Sequence, residues 1–216
     1  MDTCLATPPK GAVVLFGGKD KDLNNWVTRN EGKPAKWKVE DEILHVVPKT
    51  GDIISKKTFT DIFLHLEFRC PDMPDCTGQQ KGNSGVYLQG RYEIQVLDSY
   101  GWDVPGNADC GAIYTQYAPL VNACKPAMEW QTYDAVFRAP RVVDGTEVEK
   151  PRLTLIHNGL VVHNNIELFG PTGGAMDDNV GEPGPLLLQD HNDLVSYRNI
   201  WMVELPLEGS KEYGPK

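Results

Sequence analysis

The 216-residue chain carries 21 Lys and Arg against 30 Asp and Glu, a formal net charge of −9, and 40% of its residues are hydrophobic. Such an acidic chain should repel a phosphate backbone, which argues against nucleic acid as a partner. No apolar run approaches the roughly 20 residues that span a bilayer. The composition therefore predicts a globular chain without a membrane span, and its length fits a single domain over residues 1–216.

Apolar and polar residues alternate with a period of two along much of the chain, a pattern that indicates β-strands. The pattern is clearest over residues 62–69, IFLHLEFR, where apolar residues occupy every second position and predict one buried face. The other predicted strands are residues 13–16, 37–39, 43–47, 86–89, 92–97, 130–138, 152–157, 160–163, 186–189 and 197–205.

Turn residues between these runs predict hairpins. Asn158 and Gly159 are the pair that type I′ turns prefer, and Gly90 and Gly145 lie in other short connections. Hairpins imply antiparallel sheets, and many short strands without a helical pattern favour a double-sheet jelly roll or sandwich. Three long stretches, residues 71–82, 100–129 and 170–184, are expected to be rim loops that carry function.

Cysteine spacing and the N-terminal sequence bear on the cellular compartment. The pairs Cys70/Cys76 and Cys110/Cys124 each bracket a turn-rich stretch, so local disulfides are one interpretation and buried free thiols are the other. The first ten residues, MDTCLATPPK, lack the cationic and hydrophobic segments of a signal peptide, as a mature exported chain also would.

The densest polar stretch, NSGVYLQGRYEIQVLDSYG, predicts a wet cleft. Tyr87 and Gln89 share a face of one predicted strand, and Glu93 and Gln95 share a face of the next. Amides beside a tyrosine and a carboxylate suit the many hydroxyls of a sugar, whereas a solvated outer face is typically richer in Lys and Thr. We therefore expect this face to line a carbohydrate-binding cleft.

Glu93, Gln95 and Asp98 partly match the E-x-D-x-x-E strand of laminarinase-like jelly-roll glycosidases. Gln95 cannot carry the charge of the middle carboxylate, and Asp98 is shorter than the final Glu. A retaining mechanism needs its two carboxyl groups about 5–5.5 Å apart. An endo-β-glucanase is therefore the weaker interpretation, and cleavage at this site would need another source of activation.

His191 is a second candidate for a general base. It follows an apolar run in GPLLLQDHND, where Asp190 and Asp193 could orient or charge the imidazole. These residues could instead bind a metal, and Asp177 and Asp178 in the glycine-rich loop could hold calcium. A divalent metal, either calcium or a transition metal, therefore stays open as a cofactor, and no residue is assigned to it.

Aromatic, amide and charged residues complete the predicted site. Trp102 and Tyr114 lie in the long central loop, where a ring face can pack against sugar C–H groups. The predicted substrate-binding residues are Tyr87, Gln89, Gln95, Trp102, Tyr114, Asn122, Gln189 and Arg198.

Six blocks follow one another along nearly the whole chain: LFGGKDKDLNNW, WKVEDEILHV, GNSGVYLQGRYEIQVLDSYG, CGAIYTQYAPLVNACKPAMEWQTYDAVFRAPR, LTLIHNGLVVHNN and GPLLLQDHNDLVSYRNIWMVEL. Together they resemble the 3-keto-disaccharide hydrolase family. The resemblance implies an all-β, concanavalin A-like jelly-roll sandwich of two antiparallel sheets with long rim loops. It also implies that the protein acts in the periplasm or outside a bacterial cell.

The substrate that the resemblance implies is a glycoside already oxidised to a ketone at sugar C3. The ketone acidifies the proton at C2, so a base can remove that proton, the enolate can expel the C1 substituent and water can then add. Glu93 or His191 is expected to be the base, with Asp98 or Arg198 supporting the site. A non-catalytic carbohydrate-binding module remains the alternative from another functional class.

Overall fold

Nearly all regular structure in residues 3–207, the part of the chain that the computed structural model describes, is β-strand. The strands are β1 Val13–Phe16, β2 Trp26–Thr28, β3 Lys38–Glu40, β4 Ile43–His45, β5 Ile53–Phe59, β6 Ile62–Arg69, β7 Ser84–Leu88, β8 Tyr92–Val96, β9 Gln131–Arg138, β10 Arg141–Val143, β11 Thr146–Glu149, β12 Arg152–His157, β13 Leu160–Glu167, β14 Gly184–Leu188 and β15 Ser196–Glu204. Two 3-10 helices span Asp20–Asn25 and Gly78–Gln80. No helix within residues 3–207 is long and apolar enough to cross a membrane.

The strands form two large antiparallel sheets. The larger sheet has the order β13-β12-β9-β6-β15-β4-β3, with β1 also paired to β15, and the smaller has the order β2-β5-β14-β7-β8. β10 and β11 form a separate hairpin. This architecture confirms the predicted jelly-roll sandwich.

The inward faces of both sheets share one hydrophobic core. Leu64, Leu66 and Phe68 of β6 are fully buried, and so are Val86 of β7 and Ile94 of β8. Each such side chain contributes on the order of 2 kcal/mol through burial. Because side chains alternate along a strand, this core fixes which residues of β7 and β8 point the other way.

Strand periodicity did not predict β2, β5, β10 and β11. In β5, IISKKTF, Lys56 and Lys57 stand side by side and interrupt the alternation that marks the other strands. β10 and β11 are short and largely solvent-exposed, so no buried face imposes a pattern on them.

The outer face of β6 is buried as well, although the alternation predicts one buried face. His65 and Glu67 are 0% exposed. The N-terminal segment lies across them: Leu5 N donates to Glu67 Oε1 at 2.5 Å, and Thr3 Oγ1 donates to Asp134 Oδ2 at 2.6 Å. Of the two interpretations of the cysteine pairs, the structure supports free thiols: Cys70, Cys76, Cys110 and Cys124 are all unpaired.

Candidate active site

The outward face of the smaller sheet forms the floor of a cavity of about 240 Å³. Six residues predicted from the sequence line it: Tyr87, Glu93, Gln95, Tyr114, Gln189 and His191. Four lining residues were not predicted: Gln79, Asn83, Gly173 and Gly174. The long loops carry most of these additional residues, and only their three-dimensional course brings them to the sheet.

Strand register brings the polar side chains together. β7 pairs with β8 so that Tyr87 stands opposite Glu93 and Gly85 opposite Gln95. On the other side of β7, Gln189 follows β14 and donates its backbone N–H to Gly85 O at 3.0 Å. Because these positions share one face, their side chains converge on the cavity floor.

Glu93 is the buried carboxylic acid of this floor. It is 2% exposed, and within the described chain its Oε2 atom has no hydrogen-bond partner. Burial is the main cause that raises the pKa of Glu93 to about 8. The nearby Tyr87 hydroxyl opposes this rise, and the negative charge of Asp52 adds to it. A carboxyl group whose pKa lies near neutral pH can exchange a proton with a bound ligand.

The loop before β14 is fastened directly to the strand that carries Glu93. Thr172 Oγ1 accepts a hydrogen bond from Glu93 N at 2.9 Å and donates one to Arg91 O at 3.1 Å. Gly174 then passes Tyr87 with a φ of +78°, where a Cβ atom would stand 2.7 Å from the Tyr87 hydroxyl oxygen. A glycine is required at this position by both the backbone conformation and the space.

Amide side chains that line the cavity form a connected network. Gln95 Nε2 donates to Asn83 Oδ1 at 3.1 Å, and Asn83 Nδ2 donates to Gln79 O at 2.8 Å. Each amide therefore has its orientation fixed before a ligand arrives. Preorganised neutral donors and acceptors of this kind suit sugar hydroxyls.

Tyr87 contributes its hydroxyl group to the cavity. Its hydroxyl donates to Gly173 O at 3.2 Å and accepts from Gln189 Nε2 at 3.2 Å. Burial, reinforced by the charge of Glu93, raises the pKa of Tyr87, so the phenol remains protonated. Half-buried Tyr114 and exposed His191 complete the cavity near solvent.

The other predicted site residues lie elsewhere: Gln89, Asp98, Trp102, Asn122 and Arg198. Gln89 has a φ of +52° in the turn after β7, and its Nε2 donates to Phe59 O at 2.9 Å. The left-handed turn ends the strand alternation, so Gln89 does not follow Tyr87 onto the cavity floor.

The remaining four residues have structural contacts of their own. β8 ends at Val96, and buried Asp98 forms an ion pair with Lys81 at 3.0 Å. Asn122 Nδ2 donates to the backbone oxygens of Ser99 and Trp102, which ties the long loop together.

Arg198 belongs to the larger sheet. Its Nε atom donates to Glu67 Oε2 at 2.7 Å, and its guanidinium lies 4.0 Å from the centre of the Trp130 ring. Asp177, a candidate calcium ligand in the sequence, pairs with Arg91 at 2.6 Å. Within residues 3–207 no group of three or more His, Cys, Asp or Glu side chains is arranged to hold a metal ion.

Two solved structures from Parabacteroides distasonis ATCC 8503, both of candidate glycosyl hydrolases, are similar to this chain. The first is 40% identical with a TM-score of 0.80, covering 91% of this chain and 85% of its own. The second is 19% identical with a TM-score of 0.64, covering 91% and 95%, and shows the shared fold alone. No curated protein matches the chain.

A family model described as the 3-keto-alpha-glucoside-1,2-lyase-like domain matches residues 11–203. This match spans both sheets and every residue that lines the cavity. It confirms the resemblance of the six sequence blocks, and the chain therefore belongs to this 3-keto-disaccharide hydrolase family of carbohydrate-active proteins.

Proposed function

We propose that the protein cleaves 3-keto-glycosides, including 3-keto-disaccharides, and that Glu93 is the general base. The observation that carries this proposal is the Glu93 carboxyl group itself: it is buried, it lines the cavity and its Oε2 atom has no partner in the described chain. A general base works best with a pKa near the working pH, and burial brings the pKa of Glu93 to about 8.

The reaction begins when the Glu93 carboxylate takes the proton from C2 of the 3-keto sugar. The electron pair of the C2–H bond forms the C2–C3 double bond of an enolate, and the C3 oxygen takes the negative charge. Collapse of the enolate re-forms the ketone, creates a C1–C2 double bond and expels the C1 oxygen substituent, which gains a proton. Addition of water across C1 and C2 then gives the free 3-keto sugar.

Neutral donors around Glu93 match the demands of the enolate. Tyr87 remains protonated because its pKa is raised, so its hydroxyl can turn from Gly173 O and donate to a developing oxyanion. The amides of Gln95 and Asn83 have fixed orientations and can position the sugar hydroxyls. His191, exposed at the cavity, is suited to assist the leaving oxygen.

The cavity offers poor support for an ordinary glucanase mechanism. Among the described residues that line it, Glu93 supplies the single carboxyl group. A retaining or inverting glycosidase needs two. The volume of about 240 Å³ also falls below the roughly 300–1,000 Å³ of pockets for drug-sized ligands, which favours one sugar ring over an oligosaccharide.

The test compares native and 3-keto forms of one glycoside, with and without a chelator, using wild type, Glu93→Gln and the exposed-loop control Glu129→Gln. We expect cleavage of the 3-keto form alone, lost by about 100-fold or more in Glu93→Gln and retained in Glu129→Gln. Sugar binding without turnover would instead indicate a binding module. Cleavage of an unoxidised glucan would restore the endo-β-glucanase interpretation.

A further inference from the structure

Two separate chain segments form walls of the cavity, and a single ion pair outside the cavity contacts both. One wall is the loop that contains Gly173 and Gly174, and the other is the turn that contains Gln189 and His191. Neither member of the ion pair is among the residues that line the cavity.

Arg29 makes the contact with the first wall. It follows β2, and its backbone N–H donates to Asp52 O at 2.9 Å. Its guanidinium donates from two nitrogen atoms to two different partners. Nη1 donates to Asp52 Oδ2 at 3.0 Å, and Nη2 donates to the backbone oxygen of Ala175 at 2.7 Å. The fork geometry of arginine allows both bonds at once, which a lysine cannot reproduce.

Asp52 makes the contact with the second wall. Its Oδ1 atom accepts a hydrogen bond from Asp190 N at 2.9 Å, between Gln189 and His191. Asp190 makes the reciprocal contact: its Oδ2 atom accepts hydrogen bonds from the backbone N–H groups of Thr50 and Gly51, each at 2.9 Å. Residues 50–52 and the turn at Asp190 are thereby held together by reciprocal bonds to charged oxygens, which are among the stronger hydrogen bonds.

The pair is partly shielded from water, with side-chain exposures of 25% for Arg29 and 17% for Asp52. An exposed ion pair contributes little to stability, so the value of this one lies in its geometry. The negative charge of Asp52 also contributes to the raised pKa of Glu93.

We propose that Arg29 and Asp52 are positioning residues that set the separation of the two cavity walls and thereby the fit of the sugar ring against Glu93. This inference rests on the proposed function for the identity of the ligand. The contacts that carry it, from Ala175 through Arg29 and Asp52 to Asp190, are independent of the reaction.

The test uses Arg29→Met, Arg29→Lys and Asp52→Asn, with Lys38→Met as the control. Lys38 forms an ion pair with Glu40 at 2.8 Å on the larger sheet, away from the cavity. For a 3-keto-glycoside we expect KM to rise about tenfold in Arg29→Met with a smaller change in kcat, a partial recovery in Arg29→Lys and no change in Lys38→Met. In Asp52→Asn the midpoint of Glu93 ionisation, followed by carboxyl 13C NMR, should move to lower pH.

Backbone amide shifts of the ligand-free proteins separate failure of this inference from failure of the proposed function. If the walls are coupled, Arg29→Met moves the amide signals of Gly174 and His191 together, whether or not wild type cleaves any sugar. Shifts confined to the Ala175 side, or an unchanged KM in a folded Arg29→Met protein, would overturn the inference.

Discussion

Gly85 leaves room for the carboxyl group of Glu93 on the neighbouring strand. A Cβ atom on Gly85 would stand 2.5 Å from Glu93 Oε1 and 2.8 Å from a ring carbon of Tyr87. Both distances are shorter than van der Waals contact, so any side chain at position 85 must displace the proposed base or its phenolic neighbour. The buried position of Glu93 therefore depends on a glycine one strand away.

Replacing Gly85 with alanine should lower kcat/KM by about 100-fold, because a displacement of the order of 1 Å can cost that much. Gly173→Ala is the matched control within the same cavity, since its Cβ would meet Tyr114 at an ordinary 3.7 Å. Steady-state kinetics on a 3-keto-glycoside, with thermal unfolding to verify folding, provides the comparison. Wild-type kcat/KM in a folded Gly85→Ala protein would contradict the assignment of Glu93 as the base.

The pH dependence of activity follows from the ionisation of Glu93. A base must be deprotonated to accept the C2 proton, and burial raises the pKa of Glu93 to about 8. We expect kcat/KM in the free enzyme to rise with pH and to level off above about 8. A profile that is flat from pH 5 to about 8 would assign the base to another group.

The same ionisation predicts how stability changes with pH. The folded state keeps Glu93 protonated up to about pH 8, whereas in the unfolded chain this carboxyl ionises near its ordinary pKa of 4.5. Between these values the unfolded state binds fewer protons, so the free energy of unfolding falls as pH rises, by on the order of 1 kcal/mol per pH unit. Denaturant unfolding of wild type and Glu93→Gln from pH 5 to 8 should show wild type losing stability relative to the variant.

Local sequence rules predicted the sheets and the cavity floor. Alternation along β7 and β8 puts Tyr87, Glu93 and Gln95 on one face, and the structure agrees. The same rule failed for Gln89, because a turn with positive φ begins there. Periodicity carries no information about where a strand ends its regular twist and pleat.

These local rules could not predict contacts between residues that are distant in the sequence. Gln79, Asn83 and Gly174 reach the cavity through loops whose course is set by tertiary contacts such as the Thr172 bond to Glu93. Likewise, the polar outer face of β6 would be solvated but for the N-terminal segment. Arg198 was predicted to support the site, but its position on β15 instead lets it donate a hydrogen bond to Glu67.

The buried cluster around Glu67 provides the last prediction. Burial alone would raise the pKa of Glu67, but hydrogen bonds from His65, Asn199, Arg198 and Leu5 N lower it to about 2. A lowered folded pKa contributes stability above the unfolded value near 4.5, and this contribution is lost as pH falls towards 2.

Glu67→Gln should therefore reduce the free energy of unfolding by roughly 3 kcal/mol at pH 7, since it leaves buried partners without their carboxylate. The difference from wild type should shrink as the pH falls from about 4.5 towards 2, because over this range the Glu67 carboxyl is protonated in the unfolded chain before it is protonated in the folded protein. Glu40→Gln, at a solvent-exposed ion pair with Lys38, is the control and should change stability little. Because Glu67 and Arg198 lie on the larger sheet, kcat/KM of the folded variant should stay within about twofold of wild type. A large loss of activity without loss of stability would show that this cluster, and Arg198 with it, acts in catalysis.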